Sequence, residues 1–151
     1  MNRRQFICSA VANVVAIRTV PAWASQLEMT VYKDPNCGCC KAWAQAMQNA
    51  DFAVTIRDMD DLSSIKTKYG VPAAMQGCHT AVVGPYFVEG HVPLEAVEKL
   101  LKDAPDIAGL AVPGMPAGSL GMGDNPNAKY DVYAVGKTGS NSVYLQVLPK
   151  A

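Results

Sequence analysis

No stretch of 18 apolar residues in this chain is free of charge, which argues against a permanent membrane-spanning helix. There is no basic block and no interleaving of basic with aromatic residues. Lys plus Arg and Asp plus Glu number 13 each, for a formal net charge of +0, and nothing points to nucleic acid as a partner. There is no internal repeat and no sign of a second domain. Histidine occurs twice only. What is present is 151 residues, 50% of them hydrophobic, which is enough for one globular domain to bury a core of its own.

Residues 1–24 read as a cleavable export signal. Arg3 and Arg4 form a charged start, residues 6–17 are short and apolar, and Ala22-Trp23-Ala24 is a small-x-small cleavage site before Ser25. The run Asn2-Arg3-Arg4-Gln5-Phe6-Ile7 also resembles a twin-arginine signal, although Arg18 falls late for one. Cleavage removes three arginines and no acid, which leaves residues 25–151 as one domain with about three negative charges in excess. Cys8 leaves with the signal, and no small-residue lipid-attachment motif precedes it. Four cysteines remain in what is expected to be the periplasm, an oxidising compartment.

The alternation over residues 27–32 predicts a strand, and Lys33-Asp34-Pro35-Asn36 a turn. A helix should run from the cysteines to about Asn49 with Trp43, Ala46, Met47 and Ala50 on its apolar face. Residues 52–59 read as a second strand. A short helix follows, capped by Asp60 or Asp61, faced by Leu62, Ile65 and Tyr69, and stopped by Gly70. Residues 78–83 and 86–89 read as a hairpin. Pro93 opens a helix whose core face is Leu94, Val97, Leu101 and Ala104. Residues 105–129, rich in Gly, Pro, Ala and Met, read as one long loop, and 130–135 with 142–148 as a closing hairpin. The order β-α-β-α-β-β-α over residues 27–104 is that of a thioredoxin-like α/β fold. In that topology the third strand runs antiparallel to the first and delivers Cys78 to the mouth of the loop holding Cys37, Gly38, Cys39 and Cys40.

Four gathered sulfurs permit three chemistries. The first is a soft-metal site: Cys37, Cys39, Cys40 and Cys78 offer four thiolates, suited to Cu(I) and in second place to Zn(II), and the helix N-terminus favours the thiolate form. The second is a thiol-disulfide oxidoreductase working through the Cys37/Cys40 pair, a reading that Cys39 and Cys78 complicate by offering competing sulfurs. The third is structural disulfides, for which the three close cysteines look too crowded to pair among themselves. His79, as the strand neighbour of Cys78, should face the opposite side of the sheet. His91, in the loop after the fourth strand, can reach the same mouth or lie on the surface. Met115 and Met122, in the Gly/Pro loop, are candidate thioether ligands. Met29, Met47 and Met59 fall on core faces.

The residues also resemble a known family. Residues 32–43 around Cys37-Gly38-Cys39-Cys40, then 78–84 (Cys-His-Thr-Ala-Val-Val-Gly), then 89–93 (Glu-Gly-His-Val-Pro), then Val112-Pro113-Gly114-Met115-Pro116 with Gly118-Ser119 and Gly121-Met122, are similar in order to the motifs of the CopG-type periplasmic copper-resistance proteins. The resemblance covers residues 27–148. It implies a thioredoxin-like fold that binds copper through its cysteines, with a multinuclear Cu(I)–thiolate cluster among the arrangements it suggests. It further implies a role in copper tolerance, by holding copper, by Cu(I)/Cu(II) redox, or by transfer to a periplasmic copper carrier or efflux protein. Cys37, Cys39, Cys40 and Cys78 are the ligands carried over. Met115, Met122, His79 and His91 follow as further ligands or as side chains that hold the ligands in place. Leu120 stands where the family pattern has proline, a change in the stiffness of the loop.

Overall fold

The alternation at the start of the domain becomes strand β1, Glu28–Lys33, with Met29, Val31 and Lys33 turned inward and buried. The structure, a computed structural model, describes residues 26–150, so the export signal read at residues 1–24, Cys8 included, lies outside the described residues. The elements after β1 are α1 (Gly38–Asn49), β2 (Ala53–Asp58), α2 (Ser63–Lys68), a 3₁₀ turn (Ala73–Met75), β3 (His79–Val83), β4 (Tyr86–Gly90), α3 (Leu94–Asp103), β5 (Gly109–Val112), β6 (Tyr130–Val135) and β7 (Asn141–Val147). The seven strands form one mixed sheet in the order β2-β1-β3-β4-β5-β6-β7. β1 pairs with β2 in parallel and with β3 antiparallel, and β4 pairs with β5 in parallel.

Alternation sends the two faces of the sheet to different helices. Met29, Val31, Ala81, Val83, Val88, Leu110 and Val132 pack with Trp43, Ala44 and Met47 of α1 and with Ala96, Val97 and Leu100 of α3. Phe87, Ala111 and Val135, on the other face, pack with Val71, Tyr69 and Met75 around α2 and the 3₁₀ turn. Each fully buried large apolar side chain in these clusters contributes about 1.5–3 kcal/mol relative to exposure. Neither Asp60 nor Asp61 is the cap of α2: Leu62 stands there without a side-chain cap bond, and Asp61 turns the chain just before it by accepting the N–H of Ser63 at 2.8 Å; Gly70, at φ +68°, stops the helix as expected.

Two further expectations are corrected. Residues 105–129 are not one loop, because they contain β5, whose four residues are all buried between β4 and β6. β5 lacks a period-2 signal because both of its faces are covered, and four apolar residues in a Gly/Pro-rich setting read as loop. It ties the closing hairpin into the main sheet. In α3 the innermost residues are Ala96, Val97 and Leu100. Leu94 and Leu101 only flank the core, and Ala104 is exposed, at φ +44°, as the cap of the helix. Among the described residues no helix is long and apolar enough to cross a membrane.

Candidate metal centre

The cysteine loop is built by a turn and a helix start. Asp34 Oδ1 accepts the N–H of Asn36 at 2.7 Å, and the Asp34 carbonyl accepts the N–H of Cys37 at 3.1 Å. Lys33 holds this turn from below: its Nζ donates to the Asp34 carbonyl at 2.9 Å and pairs with Asp58 at 2.9 Å. Cys37 is then the N-cap of α1, its Sγ accepting the N–H of Cys40 at 3.3 Å. One helical turn carries the buried face through Cys40, Trp43, Ala44 and Met47. Cys37 and Cys40 are joined as a disulfide, while Cys39 and Cys78 are free. The pairing corrects the view that the loop cysteines are too crowded to bond one another. Three residues across a helix start set their Cα atoms 5.3 Å apart, within the disulfide range.

Cys78 arrives from the other end of the chain segment. In the antiparallel pair of β1 and β3, Lys33 faces His79, so the residue before β3 falls beside the end of β1, where the cysteine loop departs. The four sulfurs of Cys37, Cys39, Cys40 and Cys78 all lie within 4.8 Å of one another. Cys37 Sγ and Cys39 Sγ are 3.5 Å apart, and Cys40 Sγ is 3.7 Å from the Cys78 carbonyl oxygen. This is a cysteine cluster able to bind a metal ion.

Both histidines join it. His79 was expected on the far side of the sheet from Cys78. Instead β3 begins at His79 and Cys78 lies in a bend before it, so strand alternation does not separate them: His79 Nδ1 is 3.4 Å from Cys78 Sγ. The His79 ring packs at 4.5 Å between centroids against Trp43, whose Nε1 donates to the Val92 carbonyl at 2.8 Å. His91 is fully buried rather than on the surface, with Nε2 2.9 Å from Cys78 Sγ. The donor atoms of Cys78, His79 and His91 also lie within 4.8 Å of one another. His79 Nε2 and His91 Nδ1 are buried without a hydrogen-bond partner.

Burial dominates the electrostatics. It pushes the Cys78 thiol up to about 12, and the neighbouring Cys39 adds to the shift. It pulls His79 down to about 3, aided by His91 and Lys66. His91 is also lowered by burial. At neutral pH the centre is therefore a protonated Cys78 beside two uncharged imidazoles, each with a lone pair to give. A cation entering there would supply the charge that favours the thiolate.

Sequence reasoning missed the groups that hold Gly77, the residue before Cys78. Lys66, Thr80 and Glu89 are all buried. Glu89 pairs with Lys66, accepts the Thr80 hydroxyl at 2.6 Å, and accepts the N–H of Gly77 at 2.7 Å. Burial raises the Glu89 pKa, and its bonds to Lys66, Thr80 and Gly77 oppose the shift. Glu89 gave a signal in the sequence, an acid in the apolar run of β4, whereas Lys66, between Ile65 and Thr67 and close to Lys68, gave none. The glycines are tight: a Cβ on Gly77 would sit 2.7 Å from Gly90 Cα, and one on Gly90, at φ +69°, 2.5 Å from the Val112 carbonyl oxygen.

Met115 and Met122 are exposed, at 55% and 38%. Their segment nevertheless touches the centre. Gly114 donates to the Gln76 carbonyl, two residues before Cys78, and a Cβ on Gly121 would lie 2.6 Å from the Cys39 carbonyl oxygen. Leu120 packs on the main core. Met29 and Met47 are core, as expected, and Met59 is half-buried.

Residues 75–122 match a family profile described as a protein of unknown function, DUF411. No curated protein matches the sequence. Two solved structures are similar over nearly their whole length. The first, "Copper resistance protein copG- Form 1", is 40% identical with a TM-score of 0.76, over 82% of this chain and 98% of that one. The second, "Copper resistance protein copG- Form 2", is 41% identical with the same TM-score, over 81% of this chain and 98% of that one. With this identity over almost the full length of both relatives, and with the cysteine cluster assembled as described, the chain belongs to the CopG copper-resistance family.

Proposed function

We propose that this protein is an exported, periplasmic Cu(I)-binding protein of copper tolerance, with Cys37, Cys39, Cys40 and Cys78 as thiolate ligands. The observation that carries the reading is the approach of all four sulfurs to within 4.8 Å. Thiolates in such number favour Cu(I), and closely set thiolates can bridge two ions, so a multinuclear cluster suits the spacing. All four sulfurs become available only after an external dithiol, itself oxidised to a disulfide, supplies two electrons and two protons to open the Cys37–Cys40 bond. His79 and His91 reach the same volume through Cys78 and extend the donor set with neutral nitrogen. Met115 and Met122 are exposed thioethers in the segment whose Gly114 and Gly121 adjoin Gln76 and Cys39, suited to receiving Cu(I) from a carrier or passing it to an efflux protein. The β2-β1-β3-β4 order with α1 and α3 on one face supports a thioredoxin-like unit, extended here by β5 to β7.

The test is anaerobic reconstitution of the reduced protein with Cu(I), counting metal by mass spectrometry and thiols by titration. Loss of four reactive thiols with bound Cu(I) is expected. Four thiols that stay fully reactive in excess Cu(I) refute the reading, and a chelator-resistant Zn(II) with no preference for Cu(I) makes the site structural zinc.

The disulfide itself favours a second reading, a thiol-disulfide oxidoreductase using Cys37 and Cys40 at a helix N-terminus. Turnover of a disulfide substrate that survives Cys39→Ser and Cys78→Ser but not Cys37→Ser would make this the better description.

A further inference from the structure

We propose that the buried Lys66–Glu89 ion pair, with Thr80, is a positioning device that clamps the peptide before Cys78 and thereby sets the Cys78–His91 separation. The inference rests on the reading of Cys78 as a metal ligand. Its geometry involves three segments of chain. Lys66 comes from α2, Thr80 from β3 and Glu89 from β4, and Thr80 and Glu89 are cross-strand partners. Both backbone groups of Gly77 are held by side chains: Glu89 Oε1 accepts its N–H at 2.7 Å, and Lys66 Nζ donates to its carbonyl at 3.1 Å. Lys66 Nζ also lies 3.3 Å from Thr80 Oγ1, and the Thr80 hydroxyl donates to Glu89 Oε2 at 2.6 Å.

The gripped residue and one of its holders stand close in sequence to the two that meet in the centre. Gly77 precedes Cys78, and Glu89 stands two residues before His91. Gly77 and Gly90 are pressed backbone to backbone between them, so a shift in either segment is passed on to the sulfur–nitrogen contact of 2.9 Å. Stability alone is a poor explanation for such a pair, since replacing a buried ion pair by uncharged side chains of similar volume is often neutral or stabilising. The pair engages the two backbone groups of the residue next to a ligand. Residues that orient a ligand in this indirect way typically change metal affinity by about 10-fold to 100-fold when lost.

The double variant Lys66→Met/Glu89→Gln tests this by removing both charges of the pair together, and Thr80→Val, which leaves every charge in place, separates the clamp from the effect of the Glu89 charge on the Cys78 thiol. Two readouts are needed. The first is metal-free: the rate of alkylation of Cys78 relative to Cys39, with the Cys37–Cys40 disulfide intact, by iodoacetamide and peptide mapping. The second is Cu(I) affinity of the reduced protein against a chromophoric chelator. The clamp predicts that the Cys78:Cys39 ratio rises by about fivefold or more and that Cu(I) affinity falls by about 10-fold. A general loosening of the fold would move both cysteines together and leave the ratio unchanged. A folded double variant with ratio and affinity both within about twofold of the parent overturns the proposal. If that variant does not fold, Thr80→Val alone is read by the same two measurements and the same limits. If the parent binds no Cu(I), the metal reading fails, and the alkylation ratio still decides whether the clamp exists.

Discussion

Cys78 Sγ and His91 Nε2 lie 2.9 Å apart at the open end of the β3–β4 hairpin, where continuing the Thr80–Glu89 register by two residues sets them opposite each other. Both residues sit just outside the hairpin's paired length, where neither is bound by strand alternation. With His79 they join a four-sulfur cluster to a pair of uncharged imidazoles.

Replacing His91 tests whether that contact matters to the metal. His91→Gln should lower Cu(I) affinity by about 10-fold to 100-fold, whether the ring binds metal or only orients Cys78. Competition with a chromophoric Cu(I) chelator measures it. An unchanged affinity would show that the ring is only packed there.

The Cys78 thiol, raised to about 12 by burial, must lose its proton to bind metal. At any pH below that value, metal binding therefore releases a proton, and affinity strengthens as pH rises. Each proton released corresponds to about a tenfold gain per pH unit. Titrations in weakly buffered solution across roughly pH 6 to 8 should show the release, and Cys78→Ser should show one proton fewer.

The metal-free protein should lose stability in mild acid through His79. Its pKa falls from the ordinary 6.5 to about 3 on folding, so the unfolded chain takes up the proton first. The stabilisation is complete above about 6.5 and is lost progressively as pH falls towards about 3. Thermal unfolding across that window should show Tm declining, and His79→Leu should flatten the decline. Identical slopes in the two proteins would remove His79 as the cause.

Gly90→Ala should cost about 3 kcal/mol or more, by combining a left-handed backbone with a Cβ placed 2.5 Å from the Val112 carbonyl oxygen. Gly84→Ala, at φ +55° with nothing within 4 Å, carries only the conformational cost of about 1 kcal/mol. Urea unfolding of the two variants separates the contributions. Equal losses would mean that the β3–β4–β5 crossing yields easily.

Met115→Leu and Met122→Leu should each change stability by less than about 0.5 kcal/mol, since both side chains are exposed. If they receive or pass on Cu(I), the double variant slows exchange with a small thioether or thiol donor while equilibrium stoichiometry stays the same. Stopped-flow transfer kinetics read this, and unchanged rates would leave the two methionines without a role in exchange.

Much of the molecule is legible in its residues because the signals are local. Alternation marks β1, a 3.6-residue period marks the buried face of α1, and the turn at Asp34 to Asn36 announces the helix that Cys37 caps. The order of the first elements also brought Cys78 to the loop of Cys37, Cys39 and Cys40, because an antiparallel β3 beside β1 leaves no other place for it. What stayed hidden depends on distance in space. β5 has no period to display when both of its faces are covered. The side of the sheet on which His79 lies relative to Cys78 turned on whether the strand began at residue 78 or 79, a one-residue difference that sequence periodicity does not resolve. Lys66 and Glu89 are 23 positions apart, and Lys66 looks like an ordinary surface charge until packing buries it. The sequence by itself determined the kind of donor atoms and the helix start that receives them. Tertiary structure alone decided which histidine nitrogens meet the sulfurs and which ion pair holds Cys78 there, because those contacts depend on the register and packing of strands and helices far apart in the chain.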